Sequence, residues 1–102
     1  MTTKNFLKRL QELYDINIDI SKRKNADYAG VDDPFKNFKL CEYLGICSVE
    51  AGIMVRISDK MSRISTLLKK ENEVKDESIC DSLSDAANYL MILRIYIEQK
   101  QK

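Results

Sequence analysis

Apolar residues recur along most of this chain at the three- and four-residue steps of an α-helix. Val49, Ile53, Ile57, Met61, Ile64 and Leu68 fall at i, i+4, i+8, i+12, i+15 and i+19, predicting a long amphipathic helix that ends near Lys70. Ser48 is its expected N-cap, with Ala51 rather than Glu at N3, so the capping box is incomplete. A second stripe, Ile79, Leu83, Ala86, Leu90, Leu93 and Ile97, predicts a last helix from about Asp76 to Gln99. Phe6, Leu10, Leu13 and Ile20 predict a first helix from about Lys4 to Lys22, although the alternation Ile16 to Ile20 also fits a strand.

Between these stripes the pattern breaks. Gly30, Asp32, Asp33 and Pro34 are turn formers and predict a loop. A short helix from about Asn37 to Leu44 should follow and end at Gly45, a natural C′ residue. Residues 71–75 are a polar hinge before the last helix. The expected architecture is all-α: one domain over residues 1–102, a small bundle of three main helices plus a short one. The last helix is apolar on more than one side near Tyr89–Ile97, which predicts a homo-oligomer, dimer or higher, packed through it.

Composition narrows the function. The 102 residues are 44% hydrophobic and 32% charged, with one Pro and three Gly, as expected of a helical globular domain. A net charge of +1 argues against a generally polybasic nucleic-acid binder. No apolar run approaches the roughly 20 residues that span a bilayer, and no signal-peptide core follows Met1, so the expected location is the cytoplasm, off the membrane. The three Cys include no CxxC pair, which makes disulfides and zinc poor explanations. The chain has no His, so any chemistry falls to carboxylates, cations and hydroxyls.

The carboxylates are oddly placed. Glu77, Asp81 and Asp85 stack at i, i+4 and i+8 on the last helix, with Asn88 a turn further on, and like charges at that spacing repel. Glu77 sits in a first turn, where acids suit the helix dipole; Asp81 and Asp85 lie too deep for that. A hard divalent cation, Mg²⁺ or Mn²⁺, would offset them, with phosphates completing its shell. On the preceding helix, Arg56, Asp59, Lys60 and Arg63 fall within roughly 100° at 3.6 residues per turn. They form either a cationic lip for phosphates, with Asp59 for metal, or a solvated face of paired charges. Glu50 falls on the apolar stripe, as a metal ligand or as an acid at the helix start. In the loop region, Lys24, Asp27, Tyr28, Phe35, Asn37 and Phe38 offer charge, hydrogen bonding and rings suited to a nucleotide. Alternatively, Tyr28, Phe35 and Phe38 plug the open end of the bundle.

Four blocks carry a resemblance. Lys24-x-x-Asp27-Tyr28-x-Gly30, Asp33-Pro34-Phe35-x-Asn37-Phe38, Arg56-x-x-Asp59-Lys60-x-x-Arg63 and Lys75-Asp76-Glu77-Ser78-x-x-Asp81-x-x-x-Asp85-x-x-x-Tyr89 span about residues 24–89. In order and spacing they resemble the nucleotide modification associated domain 1 family, frequent in bacteriophages. The helical layout is similar to the MazG-like all-alpha NTP pyrophosphohydrolases, whose ExxE and ExxD helices hold Mg²⁺ for cleavage between the α and β phosphates. This chain offers Glu50 and Asp59 where ExxE would stand, and Asp81-x-x-x-Asp85 in place of ExxD. The resemblance implies a Mg²⁺-dependent nucleotide-binding protein. Its activity would be pyrophosphohydrolysis with Glu77, Asp81 and Asp85 as the catalytic acids, or nucleotide binding and sequestration without turnover.

Overall fold

The computed structural model describes residues 1–26, 33–70 and 77–102, and the chain divides into two compact units, Met1–Pro34 and Phe35–Lys102. The first unit is built on α1, Thr3–Lys24. Thr2 caps it, its hydroxyl accepting the Asn5 N–H at 3.1 Å, and Lys22, Arg23 and Lys24 place positive charge at the negative end of the dipole. The Ile16–Ile20 alternation lies inside this helix, which removes the strand alternative. No residue of α1 is buried.

The second unit holds α2 (Lys36–Tyr43), α3 (Val49–Lys69) and α4 (Glu77–Lys100). Among the described residues every regular element is helical, so the fold is the expected small all-α bundle. None of these helices is long and apolar enough to cross a membrane. Gly45 terminates α2 with φ +76°, a backbone conformation that costs an L-residue bearing a Cβ about 1–2 kcal/mol. Its N–H donates to the Glu42 carbonyl and the Ile46 N–H donates to that of Cys41, at 3.0 and 2.9 Å, closing a Schellman motif. Ser48 then opens α3, its hydroxyl accepting the Ala51 N–H at 3.1 Å.

The helices α3 and α4 pack along each other in opposite directions, since Glu50 meets Lys100 while Lys60 meets Asp85. The buried centre is Val49, Ile53 and Ile57, covered by Phe38, Tyr89, Ile92, Leu93 and Tyr96. Phe35 is buried as well and meets the Tyr96 ring edge-on, with centroids 5.2 Å apart. Where α2 approaches α3, Gly52 presents only a hydrogen: a Cβ there would lie 3.4 Å from the Phe38 ring.

The seam differs from the apolar stripes read in the sequence. Along α4 the inward positions are Ile79, Ser82, Ala86, Tyr89, Leu93 and Tyr96, an alternation of three- and four-residue steps. Leu83, Leu90 and Ile97 fall beside that seam and are exposed, as are Met61 and Leu68 on α3, where Lys60 and Leu67 are the half-covered residues instead. The reason is geometric. On α3 the successive i+4 steps from Val49 to Met61 rotate by about 40° each, whereas a step of three from Ile57 to Lys60 turns back onto the seam. On α4 both stripes alternate threes and fours, and the covered one takes Ser82, Tyr89 and Tyr96, each one residue earlier than Leu83, Leu90 and Ile97.

Candidate functional site

On α3, Lys60 lies between Val49 and Ile53 in angular position, so it belongs to the packed stripe rather than to its margin. Its ammonium reaches across the seam to Asp85 on α4, with Nζ 3.0 Å from Oδ2 and the two side chains 28% and 23% exposed. Two charges three-quarters covered by protein are costly to bury apart, so each stabilises the other in place. Arg56, Asp59 and Arg63 occupy the exposed edge of α3 beside Lys60, with Arg56 and Arg63 about one turn before and after it. On α4, Asp81 is exposed a turn before Asp85, and Asn88 is half-buried three residues after it. Helix packing thus brings Arg56, Asp59, Lys60, Arg63, Asp81, Asp85 and Asn88 to one side of the α3–α4 pair.

The remaining residues predicted from sequence lie elsewhere in the second unit, in the first unit, or outside the described residues. Phe35 and Phe38 pack on Tyr96 and on the Val49–Ile57 cluster, so these two rings fill the apolar interior of the second unit. Asn37 is exposed in the first turn of α2. Lys24 closes α1 in the other unit. Asp27, Tyr28 and the Glu77 side chain lie outside the described residues.

Glu50 is in the first turn of α3, the end opposite the acidic pair, where Lys100 from the end of α4 donates to it at 2.6 Å. The Lys100 ammonium also stands 5.9 Å from the centre of the Tyr96 ring. Nothing in a helical pattern identifies partners so distant in sequence; the seam register brings them together. The hydrogen bond from Lys100 holds the Glu50 carboxyl below its ordinary pKa, and the same bond raises that of Lys100. A lowered carboxylate pKa stabilises the fold above the unfolded-state value and stops doing so as pH falls through the folded-state value. A raised lysine pKa stabilises below the ordinary lysine value and is lost as pH rises through the raised one. The stability gap between the wild type and Glu50→Gln should therefore be open at pH 7 and close in acid, below about pH 4. Urea unfolding at pH 7 and pH 3 measures it, and a gap of equal size at both would refute the pairing.

Among the described residues no three of His, Cys, Asp and Glu converge as a metal cage. What α4 offers is the pair Asp81 and Asp85 on adjacent turns, with Lys60 already on Asp85. Mg²⁺ is commonly held by one or two carboxylates with phosphate and water completing an octahedron, so this donor set fits an ion shared with a phosphate ligand rather than one enclosed by protein. A shallow recess lined by Ile95, Glu98, Gln99 and Lys102 lies on the last turns of α4 and includes none of the predicted residues. Compared with models of known families, with curated proteins and with solved structures, the chain matches none.

Proposed function

We propose that this chain is a Mg²⁺-dependent nucleotide-binding protein acting as a nucleoside triphosphate pyrophosphohydrolase, as the four-block resemblance implies, in phage or prophage nucleotide metabolism. The observation that supports it is the Lys60–Asp85 pair, set within the packed seam and edged by Arg56 and Arg63 on one helix and Asp81 on the other. Stability alone gives little reason to place Lys60 on an apolar stripe, since a hydrophobic residue of similar size would serve as well or better. A polyphosphate ligand does give a reason. Lys60, Arg56 and Arg63 would neutralise its oxygens, while Asp81 and Asp85, with Glu77 and Asp59, would hold the ion. The chemistry the ion supplies is polarisation of a phosphoryl oxygen and acidification of bound water. With no His in the chain, a carboxylate must accept the proton of the attacking water.

Binding without turnover is the second reading. The favouring observation is that Asp85 is already held by a lysine. Incubation with Mg²⁺ and a panel of (deoxy)nucleoside triphosphates separates the readings. Release of monophosphate and pyrophosphate supports the enzyme; calorimetric binding without product supports sequestration; neither binding nor product refutes both.

We also propose that the protein pairs with a second copy of itself. Met54, Met61 and Leu68 on α3, and Leu83, Leu90 and Ile97 on α4, are exposed and repeat at seven-residue spacing, the pattern by which helices pack side by side. Sedimentation should then give a dimer or larger species that Leu90→Glu dissociates; a wild-type monomer at micromolar concentration would contradict this.

A further inference from the structure

We propose that the Lys60–Asp85 ion pair is an exchange latch that makes metal and polyphosphate binding depend on each other; this rests on the nucleotide reading above. Among the described residues, the side of the α3–α4 pair that carries the latch interleaves the cations Arg56, Lys60 and Arg63 with the carboxylates Asp59, Asp81 and Asp85, so charges of both signs face each other there before any ligand arrives. Lys60 Nζ lies 3.0 Å from Asp85 Oδ2, and both side chains are about three-quarters covered.

A divalent cation alone must approach Asp85 against the ammonium already there. A metal-free polyphosphate that draws Lys60 away leaves Asp85 covered by protein without that ammonium. Each ligand by itself therefore breaks the partly buried Lys60–Asp85 contact and replaces only one side of it, which costs free energy. Arriving together, the two ligands leave both groups neutralised: Lys60 moves from a carboxylate oxygen to a phosphate oxygen, and Asp85 trades an ammonium for the ion. Asp81, exposed one turn away, supplies the second carboxylate without having to exchange a partner in the seam. By linkage the enhancement is reciprocal, so polyphosphate tightens metal binding by the same factor that metal tightens polyphosphate.

The test uses the full-length chain with Mn²⁺ and inorganic tripolyphosphate, each titrated alone and in the presence of the other, with bound Mn²⁺ read by electron paramagnetic resonance. For the wild type, tripolyphosphate should tighten Mn²⁺ by at least about tenfold. Lys60→Met, verified as folded by circular dichroism, should bind Mn²⁺ alone about tenfold more tightly than the wild type and lose most of the mutual enhancement, whereas Lys60→Arg should keep it. Line broadening by Mn²⁺ in amide spectra of the unmutated protein gives an independent readout, with broadening around Asp85 expected only when tripolyphosphate is present. Equal Mn²⁺ affinity of the wild type with and without tripolyphosphate overturns the latch, as does Lys60→Met without a gain in Mn²⁺ affinity. If tripolyphosphate fails to bind the wild type at all, the nucleotide reading fails and the latch with it, whereas tripolyphosphate that binds without tightening Mn²⁺ overturns the latch alone.

Discussion

Replacing Ile53 with Ala is expected to lower the unfolding free energy of the α2–α4 unit by about 3 kcal/mol, within the usual 2–5 kcal/mol for a buried Ile. Ile53 and Val49 are both 0% exposed, and they sit where α2, α3 and α4 share one small apolar centre. Among the described residues, the buried apolar ones beyond Val49, Ile53 and Ile57 are Phe35, Ile64 and Ala86, so a cavity at Ile53 removes a large share of what holds the helices together. Domains of this size are only marginally stable, and the loss should move the urea midpoint substantially. Val55→Ala on the same helix, at a position 55% exposed, should change stability by less than about 0.5 kcal/mol. Equal effects at the two positions would show that the described seam is not the core.

The second large effect is expected at Asp85. Truncation to Ala leaves the Lys60 ammonium in the seam without this carboxylate. A fully buried pair broken in this way costs about 3–5 kcal/mol. With the two side chains 28% and 23% exposed, and a flexible lysine stem that can carry its charge towards water, about 1–2 kcal/mol is the appropriate figure. The double substitution Lys60→Met with Asp85→Leu should recover most of that loss, because apolar residues of similar volume suit the seam. A double-mutant cycle should give a coupling of about 1 kcal/mol or more. The functional cost goes the other way: the apolar pair should restore stability while abolishing Mg²⁺-dependent handling of nucleotide. Recovery of both together would mean that the ion pair serves the fold alone.

The helices themselves were legible because their ends carry local chemistry. Gly45 and Ser48 act within a few residues of their own positions, so a C′ glycine and an N-cap serine could be placed from sequence, and both make the expected backbone contacts. Which side of each helix faces the other was less legible. On α3 an i+4 step reaches Met61 where the seam takes Lys60. On α4 an equally regular alternation of threes and fours takes Leu83, Leu90 and Ile97 where Ser82, Tyr89 and Tyr96 face inward, while Ile79, Ala86 and Leu93 belong to both. Lys60 shows why this mattered. Its angular position between Val49 and Ile53 is readable from the sequence, but a lysine is ordinarily assigned to the margin of a stripe, and only the register of the facing helix shows that its ammonium reaches Asp85. Glu50 was flagged by its position on the apolar stripe; its actual partner, Lys100, required the antiparallel register. Phe35 and Phe38 had two readings in the sequence, and their packing against Tyr96 and the α3 cluster accounts for both rings without a ligand.

The proposed nucleotide binding requires cations of α3 and carboxylates of α4 to serve one ligand across their seam. Titration of the isotopically labelled protein with Mg²⁺ and a non-hydrolysable nucleoside triphosphate, followed by amide and side-chain resonances, tests this most directly. The predicted result is saturable shifts concentrated at Arg56, Asp59, Lys60 and Arg63 on one helix and at Asp81, Asp85 and Asn88 on the other. Shifts confined to a different surface, or none at millimolar nucleotide, would contradict it.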